Sequence, residues 1–240
     1  MRADQWQDLA TAFAGQVGDA AAGRLCRVCV DVLGVAGAGI TLMDGNQAGP
    51  LCVCGHGAAA LESLQFTLGE GPCHDAFRAG RPVRVVRLDV GAPVRWLPFA
   101  ELAVRTGVGA VFAYPLVCDG EKLGVLTLYE QAPGDLSDSQ HELCLGLADV
   151  LAATMVTMTL QGSDGELVGA VDDAFASRAE THQASGMVSA QLDIPAAQAL
   201  LRIRAHAFAV DRPVADIAAD IVSRRLRLDD DRQLDEVEEQ

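Results

Sequence analysis

Aromatic side chains are scarce in this sequence, 5% of 240 residues, so its interior cannot be built on large rings. Half of the residues are hydrophobic, which leaves Ala, Val and Leu to fill a core and excludes a disordered chain. Catalytic signatures are missing: there is no P-loop, nucleophile elbow, His-Glu-x-x-His or paired CxxC knuckles, and no matched set of acid, base and nucleophile. A receiver-type phosphorylation site is missing too, so a phosphorelay is not expected. Met1-Arg2-Ala3-Asp4 opens a polar segment without the apolar run of a secretory leader. Together with an odd number of cysteines, seven, this predicts a cytoplasmic protein with reduced thiols. The one stretch of membrane length, Leu143–Leu160, carries Asp149, Thr154, Thr157 and Thr159, and is read as a buried or partner-packed helix.

The net charge of −15 argues against a polyanion partner, but the charge is unevenly spread. Residues 1–176 hold ten Lys/Arg against 21 Asp/Glu; residues 177–228 hold seven against five; residues 229–240 hold one against seven. A mildly basic block thus lies between an acidic body and an acidic tail, and a local patch matters more to polyanion binding than the total.

Residues 4–34 read as helical. Ala38–Met43 and Leu51–Cys54 read as strands joined at Asp44-Gly45-Asn46. A helix within Leu61–Leu68, the turn Gly69-Glu70-Gly71-Pro72, a helix over Cys73–Ala79 and a strand at Pro82–Val86 follow. Trp96–Thr106 reads as helix, and Val108–Leu116 with Lys122–Tyr129 as a hairpin about Asp119-Gly120. Ser137 provides an N-cap region for a long helix over 138–161. This order predicts an α+β fold: one antiparallel sheet flanked by helices.

The pattern breaks at Gly162-Ser163-Asp164-Gly165, after which no strand signal remains. A helix over 166–192 is followed by two that Pro195 and Pro213 open. Ala196, Ala199, Leu200, Ile203 and Ala207 form the stripe of the first; Val214, Ile217, Ala218, Ile221 and Val222 form that of the second. The expected domains are therefore 1–161, an all-α three-helix unit over 162–228, and an acidic tail over 229–240.

The segments Leu64–Cys73, Val111–Leu116 and Leu123–Tyr129 resemble a GAF domain, in the form found upstream of ANTAR modules. Gln183–Val188, Ile203–Ala207, and Val214 through Val222 resemble the ANTAR domain, an RNA-binding module of bacterial transcription antiterminators. Ala184 and Gly186 match its small-residue signature and Arg204 its Leu-Arg step, while Ser185 stands where the family often has Lys. The two resemblances imply a signal-responsive antitermination regulator, not an enzyme, that holds paired hairpin loops of a leader RNA. Two loops would be served by a homodimer whose long helices, 138–161 and 166–192, form a shared spine. Leu147, Val150, Leu151, Thr154 and Met158 supply its apolar seam.

Candidate RNA-binding residues are Arg178, His182, Ser185, Arg202, Arg204, His206, Arg212, Arg224 and Arg225. The basic members lie mostly off the apolar stripes, and arginine's flat fork suits phosphates and unpaired bases. Solvated helix faces would give the same pattern. Phe208 and Phe175 are the aromatic residues available for stacking, and both are assigned to the core. The acidic tail can mask the basic face. In the first domain a small-molecule pocket between sheet and helices would be lined by Phe66, Cys73, Phe77, Trp96, Phe99 and Phe112; the alternative is a filled core, and no residue singles out a cofactor. The cysteines raise a rival function. Cys26 and Cys29 are one helical turn apart, Cys52 and Cys54 share a strand face, and Cys73, His74 and His56 add potential ligands. Such a set can hold zinc or an iron–sulfur cluster, or form a redox switch, in a sensor whose helical module binds DNA or a protein. No metal ligands are assigned.

Overall fold

A computed structural model describes residues 21–44, 47–88, 96–161, 166–210 and 212–228. The predicted helical segment before residue 21 and the acidic tail lie outside these. The chain divides into two compact units, Met1–Phe175 and Ala176–Gln240; the division falls inside a helix rather than at Gly162.

In the first unit the elements run α1 (Ala21–Leu33), β1 (Gly37–Asp44), β2 (Gln47–Gly55), α2 (Ala58–Leu68), α3 (Pro72–Ala79), β3 (Val83–Val85), α4 (Leu97–Ala103), β4 (Ala110–Cys118), β5 (Glu121–Glu130) and α5 (Asp138–Gln161). The five strands form one antiparallel sheet in the order β2-β1-β5-β4-β3. Side chains alternate across it. Ile40, Leu42, Phe112, Tyr114, Leu126 and Leu128 pack with α1 and α5 on one face, while Val111 and Tyr129 pack with α2 and α4 on the other. Met43, Ala113 and Val125 share that second face with α3. The sheet is thus covered on both sides, as its near-continuous apolar runs require.

Helix α5 opens with a capping box. Ser137 N donates to Gln140 Oε1 at 3.0 Å, and Gln140 N to Ser137 Oγ at 3.3 Å. Its inward stripe is Cys144, Leu147, Ala148, Leu151, Ala152 and Met155. This corrects the predicted dimer seam: Leu147 and Leu151 are consumed by the unit's own core, and Thr154 turns its hydroxyl onto Val150 O. Met158 lies outside the described side chains. No helix among the described residues is long and apolar enough to cross a membrane.

The second unit takes in the C-terminal part of α6 (Glu166–Leu192), then α7 (Ala196–Ala209) and α8 (Val214–Val222). Ala199, Ile203, Ala207, Val214, Ile217, Ala218 and Ile221 of the predicted stripes are buried, together with Ala184 and Val188 of α6; Leu200 and Val222 are half-buried, and Ala196 is corrected, being exposed in the first turn of α7. Pro195 and Pro213 sit one residue earlier than expected, at the N-cap positions of α7 and α8. Gly186 is exposed, and a methyl group there would meet nothing within 4 Å. Its smallness is not needed for packing within this unit.

Strands β1 and β5 approach too closely for a side chain at Gly124, where an added Cβ would lie 2.2 Å from the Thr41 carbonyl oxygen. Gly124→Ala is expected to destabilise the fold by on the order of 1–3 kcal/mol, read as a lowered urea midpoint at unchanged slope.

Candidate functional site

Helix α2 carries a carboxylate into the interior. Leu61 is fully buried and the next residue, Glu62, is 4% exposed, because α2 packs over β2 and β1. Two hydroxyls, one from β1 and one from β5, receive it. Thr41 Oγ1 donates to Glu62 Oε2 and Tyr129 OH to Glu62 Oε1, each at 2.7 Å. The space for the side chain exists because residue 39 is glycine: a Cβ there would lie 2.3 Å from Glu62 Oε1. Burial raises the Glu62 carboxyl above its ordinary range, against the opposing pull of the Thr41 and Tyr129 hydroxyls.

One helical turn on, Gln65 Oε1 accepts from the Cys73 backbone N–H at 2.8 Å, and His74 Nε2 donates to the Gln65 backbone oxygen at 2.9 Å. These bonds tie α2 to the start of α3, where Gly71 adopts φ 122° ahead of Pro72. Gln65 Nε2 is buried with no protein acceptor among the described residues. The Cys73 thiol lies 3.8 Å from Met43 Sδ, and burial pushes it well above its ordinary value. Thr41, Ala48, Pro50, Glu62, Gln65, Phe66, Cys73 and His74 enclose a cavity of about 10 Å³, room for about one water molecule.

Of the predicted pocket residues, Phe66 and Cys73 line this cavity. Phe77 packs beside them with Met43 and Val125. Trp96 and Phe99 form an edge-to-face pair, 6.5 Å between centroids, in the neighbouring cluster under α4. They hold α4 to α3: Trp96 Nε1 donates to Asp75 Oδ2, and Phe99 N to Glu70 Oε1, both at 3.1 Å. Phe112 does not belong to the pocket. It faces α1 and α5 across the sheet, because strand parity sends it away from Val111 and Ala113. Glu62, Thr41, Gln65, His74 and Tyr129 were not legible as a site. The available signal was a charged residue following Leu61 inside an otherwise apolar helical stretch.

In the second unit His182, Arg212, Arg224 and Arg225 are exposed, and Arg202 and His206 half-buried. The Arg178 side chain lies outside the described residues. Ser185 is corrected: it is buried, and its hydroxyl donates to Ala196 O at 2.7 Å, joining α6 to α7. Arg204 is half-buried at the margin of the core, with its guanidinium pKa lowered by loss of solvent. Arg212 Nη2 and Arg225 Nε meet on the two oxygens of Asp220, at 2.8 and 2.9 Å. Arg212, then Arg225, holds the Asp220 carboxyl below its usual range. Phe208 reverses its core assignment, being 51% exposed. It follows the core residue Ala207 around α7 and so points outward, on the same side of the helix as Leu201.

Residues 11–156 match the family model described as GAF domain. The first unit is similar in fold to the GAF domain of a phosphoenolpyruvate-protein phosphotransferase from Coxiella burnetii, at 17% identity and a TM-score of 0.52, covering 67% of this chain and 94% of that one. The corresponding domain from Acinetobacter gives 14% identity and a TM-score of 0.50, covering 66% and 95%. A free methionine-R-sulfoxide reductase from Neisseria meningitidis aligns at 21% identity and a TM-score of 0.46, covering 62% and 84%. No curated protein matches the chain.

A carboxyl that folding keeps protonated makes stability fall as pH rises above the unfolded carboxylate range, because the unfolded chain then binds fewer protons than the native one. Glu62→Gln removes that dependence. Its melting temperature is expected to exceed that of the wild type at pH 8, with the gap closing towards pH 4. A gap that is the same at both pH values would mean that Glu62 is ionised in the fold.

Proposed function

The chain belongs to the GAF domain family, whose members point to signal sensing, and from that premise we propose a signal-responsive regulator whose C-terminal helical unit binds RNA. The reading is of a transcription antitermination regulator that grips hairpin loops of a leader transcript, through a unit of the ANTAR type, in the cytoplasm. One observation carries it. Helix α7 turns Ala199, Ile203 and Ala207 inward and leaves the Phe208 ring outward, one turn after the half-buried Arg204, while Arg202 and His206 lie on the other flank of the helix. An accessible ring with a guanidinium one turn away suits unpaired bases, which stack on the ring while phosphates meet the cation.

Two cations have a reduced share in this surface, since Asp220 already engages Arg212 and Arg225. The GAF unit is read as a sensor rather than an enzyme, in keeping with the family it matches. A signalling molecule in its cavity would contact Glu62, Gln65 and His74. Pairing into a homodimer would draw on α6 and on the outer side of α5, where Leu145 is exposed, since the inner stripe of α5 is spent.

A second reading has its own support. Leu201, Phe208 and Val210 are exposed apolar residues of the same unit, and such a surface also suits a protein partner.

The two separate on one experiment. RNA that co-purifies with the full chain is crosslinked and sequenced, and the enriched RNA is titrated by fluorescence anisotropy against duplex DNA at low salt, where phosphate contacts are strongest. Phe208→Ala and Arg202→Ala are each expected to weaken RNA binding about tenfold, since base–aromatic stacking is worth roughly 1–3 kcal/mol. Arg212→Ala is expected to have a smaller effect. Undetectable RNA binding at low salt would favour the protein-partner reading, and preference for the duplex would favour DNA.

A further inference from the structure

On the sheet face opposite the Glu62 cavity, α1 packs its cysteines onto the edge strand β2. Cys26 and Cys29, one turn apart, are fully buried there with Cys52, and Cys54 packs against the same cluster. The neighbouring Cys52 and then Cys54 thiols, and burial after them, push the Cys26 thiol up and keep it protonated. Cys54 differs in being partly open to solvent. Its thiol is lowered to about 7, first by the hydrogen bond from Cys26 and then, against partial burial, by the Arg27 guanidinium and the Ala38 backbone N–H. All seven cysteines are free. Among the described residues no group of three or more His, Cys, Asp or Glu is arranged to hold a metal ion.

We propose that Cys54 and Cys26 form a peroxide-reactive pair, in which Cys54 is the attacking thiol and Cys26 resolves it to a disulfide that staples α1 to β2. The Cys54 thiolate attacks a peroxide oxygen. The O–O bond breaks, hydroxide leaves, and the sulfur becomes a sulfenic acid, oxidised by two electrons as the peroxide is reduced. The Cys26 sulfur then bonds to Cys54 sulfur. The S–O bond breaks, and the Cys26 proton departs with the hydroxyl as water. The accessible thiolate beside a protonated neighbour is the arrangement that makes one cysteine sensitive and the next one resolving.

The test uses the full chain treated with stoichiometric hydrogen peroxide and then analysed by thiol titration in denaturant and by peptide mapping. Two of the seven thiols are expected to be lost, in a peptide linking Cys26 to Cys54. The rate is expected to rise about tenfold between pH 6 and pH 8 and then level, as for a thiol near 7; an ordinary thiol would rise about a hundredfold over that span. Cys26→Ser is expected to stop at a sulfenic acid on Cys54 that dimedone traps, and Cys54→Ser to abolish both products. Should either variant fail to fold, the wild-type map and pH profile still decide. Seven titratable thiols after treatment, first oxidation at the half-buried Cys118, or a bridge between any other pair would overturn the proposal.

Discussion

A sheet covered on both faces has to send apolar side chains in both directions, and strict alternation along each strand decides which residue serves which face. That constraint organises the first unit. On one face it gathers Ile40, Phe112, Leu126 and Leu128 beneath α1 and α5. On the other it presents Thr41, Thr127 and Tyr129, all buried, to α2. A shift of one residue in β1 or β5 would exchange these sets, placing hydroxyls in the apolar layer and leaving Glu62 without donors. The bulge between Ile40 and Thr41 in the β1–β2 pairing leaves the β1–β5 register intact, and this register aligns the hydroxyls.

The buried carboxyl is the costliest group in that arrangement. Burial favours its neutral form, against the Thr41 and Tyr129 hydroxyls that donate to it. The second unit resolves its own acid oppositely: Asp220 lies at the surface between two guanidinium groups and stays ionised. Each solution matches its depth. One keeps an interior apolar enough to exclude charge, and the other draws two cations together at low cost.

Much of the fold was legible in the residues. The Asp119-Gly120 hairpin, the Ser137 capping box, the boundaries of α5 and α6, and the stripes of α7 and α8 followed from turn chemistry and periodicity, which act locally. The site was less legible because its members meet only through tertiary packing. Nothing local marks Thr41 and Tyr129 as donors to one carboxylate 21 and 67 positions away. Phe112 was misplaced although strand parity was available, because an aromatic residue in an apolar run invites assignment to a pocket. Leu147 and Leu151 were assigned to a partner because a single stripe on a long helix does not say whether its cover is a second subunit or the sheet beneath. Phe208 was assigned inward because aromatic residues usually are, although Ala199, Ile203 and Ala207 already fill the inward arc of α7. The charge segregation that singled out the second unit counted all arginines alike, and could not separate those clamped by Asp220 from the rest.

The cavity beneath α2 and α3 is lined by residues that the Gln65–Cys73 and Gln65–His74 hydrogen bonds tie together, and it has room for about one water. Anything larger has to wait for those helices to part. Its association rate would then saturate with concentration at the frequency of opening instead of climbing to a diffusional limit. Gated entry of that kind would favour sustained exposure over brief encounters.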